Sequence, residues 1–318
     1  MEKAKRIIFL LMILAALSGC GAEKRNMPAN TPAINPNAQA ANKNTEEVTL
    51  YFSYRGENLL AGETRKINVP VNEKTEAAVI RELIAGPSAD RDGLSGLFWG
   101  DVKLVSVDSV GDILFVTLSK DFVSTSPAKP ALEDGGFEEQ KKLAIYSIVD
   151  TIVEMGNYSR VQIEVDREGS RIGERITRSE AGWGDDSASY LEPLGWEESI
   201  ILTPSKTLQE ALASFDKKDW TRLYDFTAYM SPDGTQKPDM NAFSSALSVP
   251  GNILESYQVT GTSVSHNGKK AMVTLDYSIN TRAGDTVNKT KVPVIMVREN
   301  DIWKLSYTSL INLLINEG

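Results

Sequence analysis

Apolar positions along this 318-residue chain fall into three regimes. From Ile7 to Leu17 they are continuous, but eleven residues are too few to cross a bilayer, which takes about 20 helical residues. From 21 to 46 they are nearly absent. From Val48 onward they recur with the periods of strands and helices. Val48–Phe52 and Thr64–Val71 read as strands, and Pro70 limits the second to a strand end or a sheet edge. Ala77, Ile80, Leu83 and Ile84 fall at helical spacing, with Asn72 or Thr75 able to cap the start and Gly86-Pro87 closing the helix. Val102–Val110 and Ile113–Leu118 alternate around Gly111-Asp112 and predict a hairpin. Phe137–Met155 carries one stripe (Ile145, Ile148, Val149, Ile152, Met155), acids at its start and Gly156 at its end. Val161–Val165 alternates again. The order ββαββαβ predicts an α+β sandwich over 47–168, with helices on one face of a sheet.

Residues 169–204 are rich in Gly, Asp, Glu and Ser and read as a connector, with Trp183 and Trp196 pinning it to a neighbouring surface. A second block, 205–318, begins with stripes at Leu208, Ala211, Leu212 and Phe215, then at Trp220, Leu223 and Tyr224. A third short helix spans Asp239–Val249, stopped by Pro250-Gly251. Four strands follow at Leu254–Val264, Lys270–Asn280, Thr286–Val297 and Ile302–Tyr307. Helices first and an antiparallel meander after predict a second α+β domain, and the two blocks are not repeats.

The N-terminus changes the picture of where the chain resides. Lys3, Lys5 and Arg6 precede the Ile7–Leu17 run, and small residues follow it: the pattern of a secretory signal over 1–19. Leu17-Ser18-Gly19-Cys20 resembles a bacterial lipobox, which implies a diacylglycerol, and in some bacteria an N-acyl chain, on Cys20. Cys20 is the only cysteine, so no intrachain disulfide exists. Residues 20–46 then read as the lipidated cysteine and a disordered tether, poor in apolar bulk; about 26 such residues reach roughly 25–30 Å. The whole chain carries a formal charge of −9, and without Lys3, Lys5, Arg6 and Glu2 the remainder stands at −11. That balance argues against nucleic acid and against a polybasic hold on anionic lipid.

The first block resembles the GerM family, the sporulation and spore-germination domain of Gram-positive bacteria. The resemblance lies in Val48–Tyr54 with Glu63-Thr64-Arg65, in Glu82-Leu83-Ile84-Ala85-Gly86-Pro87, and in Leu104–Val107. It continues through the Gly111–Leu118 hairpin, Ser119-Lys120-Asp121-Phe122 and the helix from Phe137. The domain is similar to ring-building modules of sporulation secretion complexes, which implies a scaffold with no active site. The best-known member carries two such domains in tandem, and this chain shows one. The second block resembles the nuclear transport factor 2-like cone through its helix–Asp-Trp–helix opening (Ala211–Leu223) and its closing Asp301–Leu305 strand. Such folds host enzymes, binding pockets and inert dimerisers alike.

Candidate chemistry is sparse. His266, the only histidine, sits in a polar turn before Asn267-Gly268, and a triad would need it as base. One histidine and one cysteine give no His- or Cys-rich metal cluster. Gly182-Trp183-Gly184 lacks the strand and helix context of a phosphate loop. Glu138-Glu139, Asp185-Asp186 and Glu197-Glu198 are adjacent acids, whereas an acid/base couple needs carboxyls set about 5–9.5 Å apart across a cleft. Leu97-Phe98-Trp99 is either an exposed patch or a plug over its own core, and Leu310–Ile315 either covers a pocket mouth or meets a partner. The sequence therefore predicts no catalytic residues, metal or cofactor, and one definite site, the lipid attachment at Cys20. It predicts a non-enzymatic scaffold on the extracytoplasmic face of the cell membrane, with protein partners in an envelope or spore-associated complex and possible self-association. The alternative is a module binding a small molecule or cell-wall fragment through the C-terminal domain.

Overall fold

A computed structural model describes residues 43–315, apart from 125–131, 133–135, 185–188, 249–252 and 281–283. The signal, Cys20 and the tether up to residue 42 lie outside the described residues, as do Asp185-Asp186 and Pro250-Gly251. Lys43–Gly318 forms its own compact unit.

The chain enters through β1 (Lys43–Tyr54), which pairs antiparallel with β2 (Leu60–Pro70) from Lys43↔Pro70 to Ser53↔Leu60. Strand pairing thus begins inside the stretch expected as tether. The cause is the length of β2: it runs to Pro70, and each of its residues brings one of β1 into the ladder. Pro70, which has no N–H to donate, is the last residue of an edge strand, where it costs no ladder bond. Helix α1 (Thr75–Ala85) follows, capped by neither Asn72 nor Thr75: Lys74 occupies the cap position without a side-chain bond. Then come β3 (Leu94–Ser95), β4 (Leu104–Val110), β5 (Ile113–Ser119), the single turn α2 (Asp121–Ser124), α3 (Gly136–Glu154), β6 (Arg160–Asp166) and β7 (Glu174–Arg175).

The order ββαββαβ holds for the longer elements, with β3, α2 and β7 added, and the strands divide between two sheets. One is β2-β1-β3 and the other β4-β5-β6-β7, in which β5 and β6 run parallel across the α3 crossover. The stripe of α3 is fully buried at Ile145, Ile148, Val149 and Ile152. Leu97-Phe98-Trp99 is a plug: Leu97 and Trp99 are buried, and the indole stacks on Phe122 at 5.1 Å and meets Phe137 edge-on at 4.7 Å.

The 169–204 stretch is folded onto this lobe, with Ile176, Ala181 and Leu191 buried. Trp183 lies 5.8 Å from the Tyr146 ring of α3, and Trp196 meets Tyr51 edge-on at 5.9 Å. Gly182 explains the Gly-Trp-Gly run, because its φ is +93° and a Cβ there would stand 2.3 Å from the carbonyl oxygen of Glu138. Only glycine lets this loop rest on the start of α3.

The C-terminal lobe opens with α4 (Pro204–Asp216), α5 (Trp220–Phe226) and α6 (Met240–Ser248). The antiparallel sheet β11-β10-β9-β8 follows, from β8 (Ile253–Val264), β9 (Lys270–Asn280), β10 (Thr286–Glu299) and β11 (Ile302–Leu305). Ala271, Val273, Leu275, Tyr277 and Ile279 put alternate positions of β9 into the core. Leu310–Ile315 belongs to a further helix, α7 (Tyr307–Leu314), started by Ser306, whose side chain accepts the N–H of Ser309. Leu310, Leu313 and Leu314 are buried. The heart of this lobe is filled by Phe243, which is fully buried between the rings of Tyr224 and Tyr307.

One ion-pair network ties together residues that are far apart in sequence. Glu63, buried on β2, accepts from Arg65 Nε and Nη2 (both 3.0 Å), from the Ser88 N–H (3.1 Å) and from the Ser88 hydroxyl (2.5 Å). Arg65 also reaches Glu82 (2.7 Å) and the carbonyl of Gly86 (3.2 Å). The carboxylate is fully satisfied, so removing it strands its donors in the interior. Glu63→Ala should lower the unfolding free energy by about 3 kcal/mol, read as a lower urea midpoint at an unchanged m-value; Glu63→Gln should lose less.

Candidate functional site at the domain joint

The described residues place their densest polar chemistry where the two lobes meet. The β1–β2 turn supplies one side. Arg55 (φ +50°) and Gly56 (φ +72°) both take left-handed conformations, held by Tyr54 N–H to Leu59 O at 2.9 Å and Arg55 N–H to Gly93 O at 2.7 Å. This turn projects Tyr54, Arg55 and Glu57 toward the second lobe.

Arg222 answers Glu57. It sits in the first turn of α5, whose cap Asp219 accepts the Arg222 N–H at 3.0 Å. Its guanidinium forks onto Glu57 at 2.8 and 2.7 Å, reaches Glu210 at 2.6 Å, and donates to the Ser214 hydroxyl (2.9 Å) and the Glu210 carbonyl (3.2 Å). Burial works against its charge, but the bonds from Glu57 and Glu210 outweigh burial and hold it well above the ordinary arginine value. All five of its N–H donors are engaged, so Arg222 is a clamp.

A second group lies beside it. Lys304 of β11, 9% exposed, donates to the Tyr54 hydroxyl and to the carbonyl of Asp225. Burial pushes its ammonium down to about 8, with the Arg55 charge acting in the same direction. Burial pushes the Tyr54 phenol up to about 12. Arg55 pairs with the Asp225 carboxylate at 3.2 Å. Lys237 caps the carbonyls of Tyr224 (2.8 Å) and Thr227 (2.7 Å), and burial pushes it down to about 8.

The β10–β11 turn makes the third contact. Asn300 (φ +50°) and Asp301 (φ +67°) form a two-residue left-handed turn of the type that suits a hairpin. It presents Asp301 to the Thr64 N–H of β2 at 3.2 Å and to Arg91 at 3.3 Å. Leu202 N–H bonds Leu60 O at 2.8 Å, so the lead-in to α4 pairs with the start of β2.

Above the clamp lies a cleft of about 570 Å³, lined by both lobes and including Glu57, Asn58, Lys206, Glu210, Lys217 and Arg222. Its charges largely satisfy one another, since Lys206 pairs with Glu210 at 2.9 Å and Arg222 with Glu57 and Glu210. His266 stands exposed in the β8–β9 turn, away from the joint. Glu138 and Glu139 pair with Lys141 and Lys142 on α3. Among the described residues no group of three His, Cys, Asp or Glu side chains could hold a metal ion.

One titratable group stands apart. Asp150 on α3 is fully buried; one oxygen accepts the Glu197 N–H at 2.9 Å and the other has no partner. Burial pushes its carboxyl up to about 7; the Glu197 amide opposes this, and the charges of Glu197 and Glu154 add to it.

Residues 24–169 match the family model Germane, described as sporulation and spore germination. The N-terminal lobe is a Germane domain. The Germane domain is similar to the tandem GerMN domains of the sporulation protein GerM from Bacillus subtilis, at 21% identity over 49% of this chain and 48% of that one (TM-score 0.33). The match therefore spans about half the length of that structure. A Clostridium perfringens protein described as a candidate lipoprotein matches at 25% identity over 49% of this chain and 90% of its own (TM-score 0.27). An NTF2-like protein of unknown function from Cytophaga hutchinsonii matches at 13% identity over 33% of this chain and 88% of its own (TM-score 0.23). No curated protein matches the chain. The Glu63–Arg65–Glu82–Gly86 network is thus built from the residues that carry the GerM resemblance in sequence. The clamp and Asp150 went unseen there, because each needs a partner from a distant segment. The one local signal was the Asp216-Lys217-Lys218-Asp219-Trp220 turn chemistry ahead of Arg222.

Two outcomes test this site. Arg222→Ala leaves Glu57 and Glu210 facing each other and should split a single calorimetric transition into two, with Arg222→Lys intermediate because an ammonium cannot fork. Asp150 binds its proton more tightly folded than unfolded. Its contribution is therefore intact below about pH 4 and declines as pH rises to about 7. Asp150→Asn should match the parent near pH 4 and exceed it by about 4 kcal/mol at pH 8 in urea unfolding.

Proposed function

We propose that the chain is an extracytoplasmic lipoprotein of a Gram-positive cell, held to the membrane through acylated Cys20, and a non-enzymatic scaffold in sporulation or spore germination. The observation that carries the reading is the Germane match over 24–169, whose family description is sporulation and spore germination. The joint supports it: the Arg222–Glu57, Lys304–Tyr54, Arg55–Asp225 and Arg91–Asp301 contacts fix one lobe against the other, which is what a scaffold with a defined shape requires. Among the described residues no helix is long and apolar enough to cross a membrane, so membrane attachment on this reading falls to the acyl group. One acyl chain binds marginally and two bind stably, so a diacylglycerol on Cys20 meets the need. Its partners are proteins of an envelope or spore-associated complex.

The alternative, a ligand module in the C-terminal domain, finds that lobe's centre occupied by Phe243, Tyr224 and Phe226. The cleft of about 570 Å³ lies at the joint, with its charges largely paired.

Deleting the gene should reduce spore yield or slow germination, and Cys20→Ala should shift the protein from the membrane fraction to the soluble one with its thermal unfolding unchanged. Normal spores that germinate at the normal rate, or a membrane-bound Cys20→Ala protein, would overturn the corresponding half of the proposal.

A further inference from the structure

Sheet edges are treated unequally in this fold. The outer edge of β2 is covered by Asp301 on the Thr64 N–H, by Leu202 on Leu60 O, and by Pro70. The edge of β11 is met by Ala228, whose N–H bonds Leu305 O at 2.8 Å. On β4, the Lys74 ammonium takes the carbonyl of Val107 at 2.8 Å. The strands β3 and β7 have two residues each. That leaves β8, twelve residues long at the end of its sheet and paired with β9 alone. Among the described residues, no backbone bond leads from its outer edge to another element.

Natural edges are blunted by lysine, proline or cover, because an open one is a template for another strand. Here Ile253–Val264 contains neither lysine nor proline and one charge, Glu255, although its pairing with β9 shifts register at Leu254/Ser256 and Val259/Gly261. In a chain of net −9 it is a neutral seam where a like-charged copy meets least repulsion. A basic partner would find almost nothing on it to pair with. The strand's two ends are also complementary. At one end Ile253 is 61% exposed. At the other, Met272 (43%) lines a largely apolar cavity of about 390 Å³ together with Pro232, Ser263, Lys270 and Ile295.

We propose that β8 is the self-association edge of this protein, pairing antiparallel with β8 of a second copy about a twofold axis near Gln258. Antiparallel pairing about Gln258 brings each copy's Ile253 to the other's Ser263, beside the Met272 cavity on the same sheet face, so one operation gives each Ile253 and each cavity a neighbour. The two four-stranded sheets become one of eight, and the interface is isologous. A single bound peptide would supply the backbone bonds without this end-to-end match. The inference rests on the sheet and not on the sporulation reading, so a spore phenotype neither supports nor removes it.

Protein lacking residues 1–20 contains no cysteine and retains the whole compact unit. In sedimentation velocity it should move from monomer to dimer as concentration rises. Gln258→Lys with Thr260→Lys should hold it monomeric with an unchanged near-ultraviolet spectrum. Gln258→Cys should give a disulfide-linked dimer under mild oxidation, because an axis beside that residue brings both copies within bonding reach. A protein monomeric at every concentration, a dimer that survives both lysines, or a dimer that does not crosslink through Cys at 258 would each overturn the proposal. Binding of an added extended peptide by a monomeric protein would overturn it in favour of strand capture from another chain.

Discussion

The fork of Arg222 onto Glu57 and Glu210 is the constraint on which the shape of this molecule depends. It joins a turn of the Germane domain to two helices of the second lobe through a guanidinium with no donor left over. Interfaces built from desolvated charge contribute less net stability than their short distances suggest, because each ion surrenders its hydration. What they add is orientation. Misalignment by one side chain leaves a carboxylate or a guanidinium unpaired, which costs far more than a slipped apolar contact. The Lys304–Tyr54–Asp225 group and the Asp301–Thr64 contact repeat the same logic at separate points. Together these points resist rotation of one lobe about the other, where a single clamp would leave a swivel.

Elements whose signal is local were legible in the sequence. The stripe of α3, the β4–β5 hairpin and the meander β8–β11 all follow from side-chain period and turn residues within a dozen positions. What the sequence withheld is non-local. Nothing in the spacing of Val48–Phe52 says that its strand joins a different sheet from β5, because sheet membership is a matter of pairing and not of period. Helix α7 was hidden for another reason. Leu310–Leu314 is too short and too apolar to show a polar face, and its clearest marker is Ser306, three residues before Ser309, whose N–H it caps. The early start of β1 at Lys43 was likewise set by the partner strand, against a composition that reads as tether.

The residues that made the first block resemble a family act as structural pins. Glu63, Arg65, Glu82 and Gly86 are one network around the buried Glu63, and Ser119-Lys120-Asp121-Phe122 bears on the aromatic stack of Trp99, whose indole N–H donates to Asp121 O at 3.3 Å. A motif can therefore mark a family by how the fold is held, with no chemistry implied. That bears on the search for an active site. Lys304, Lys237 and Tyr54 have displaced pKa values of the kind that flags catalytic groups. Their donors are directed at backbone carbonyls and at each other, and Lys304 lies buried at the joint instead of facing the open cleft.

Asp150 is the exception that these pins do not explain. Every other buried acid discussed above has a cation or a set of donors, whereas this carboxyl has one amide, two neighbouring acids and a bare oxygen. The fold accommodates it most easily as the neutral acid, with burial raising its pKa to about 7. Its one bond is to the 169–204 stretch, at the residue after Trp196, where that stretch lies against Tyr51. The charge on Asp150 therefore acts at the segment that leads from the Germane domain toward the joint. Ionisation would raise the cost of keeping that segment docked, while the Arg222 clamp, whose charge is secured by two carboxylates, would hold across the same range. The Arg222 clamp and the Asp150 contact thus respond differently as Asp150 ionises.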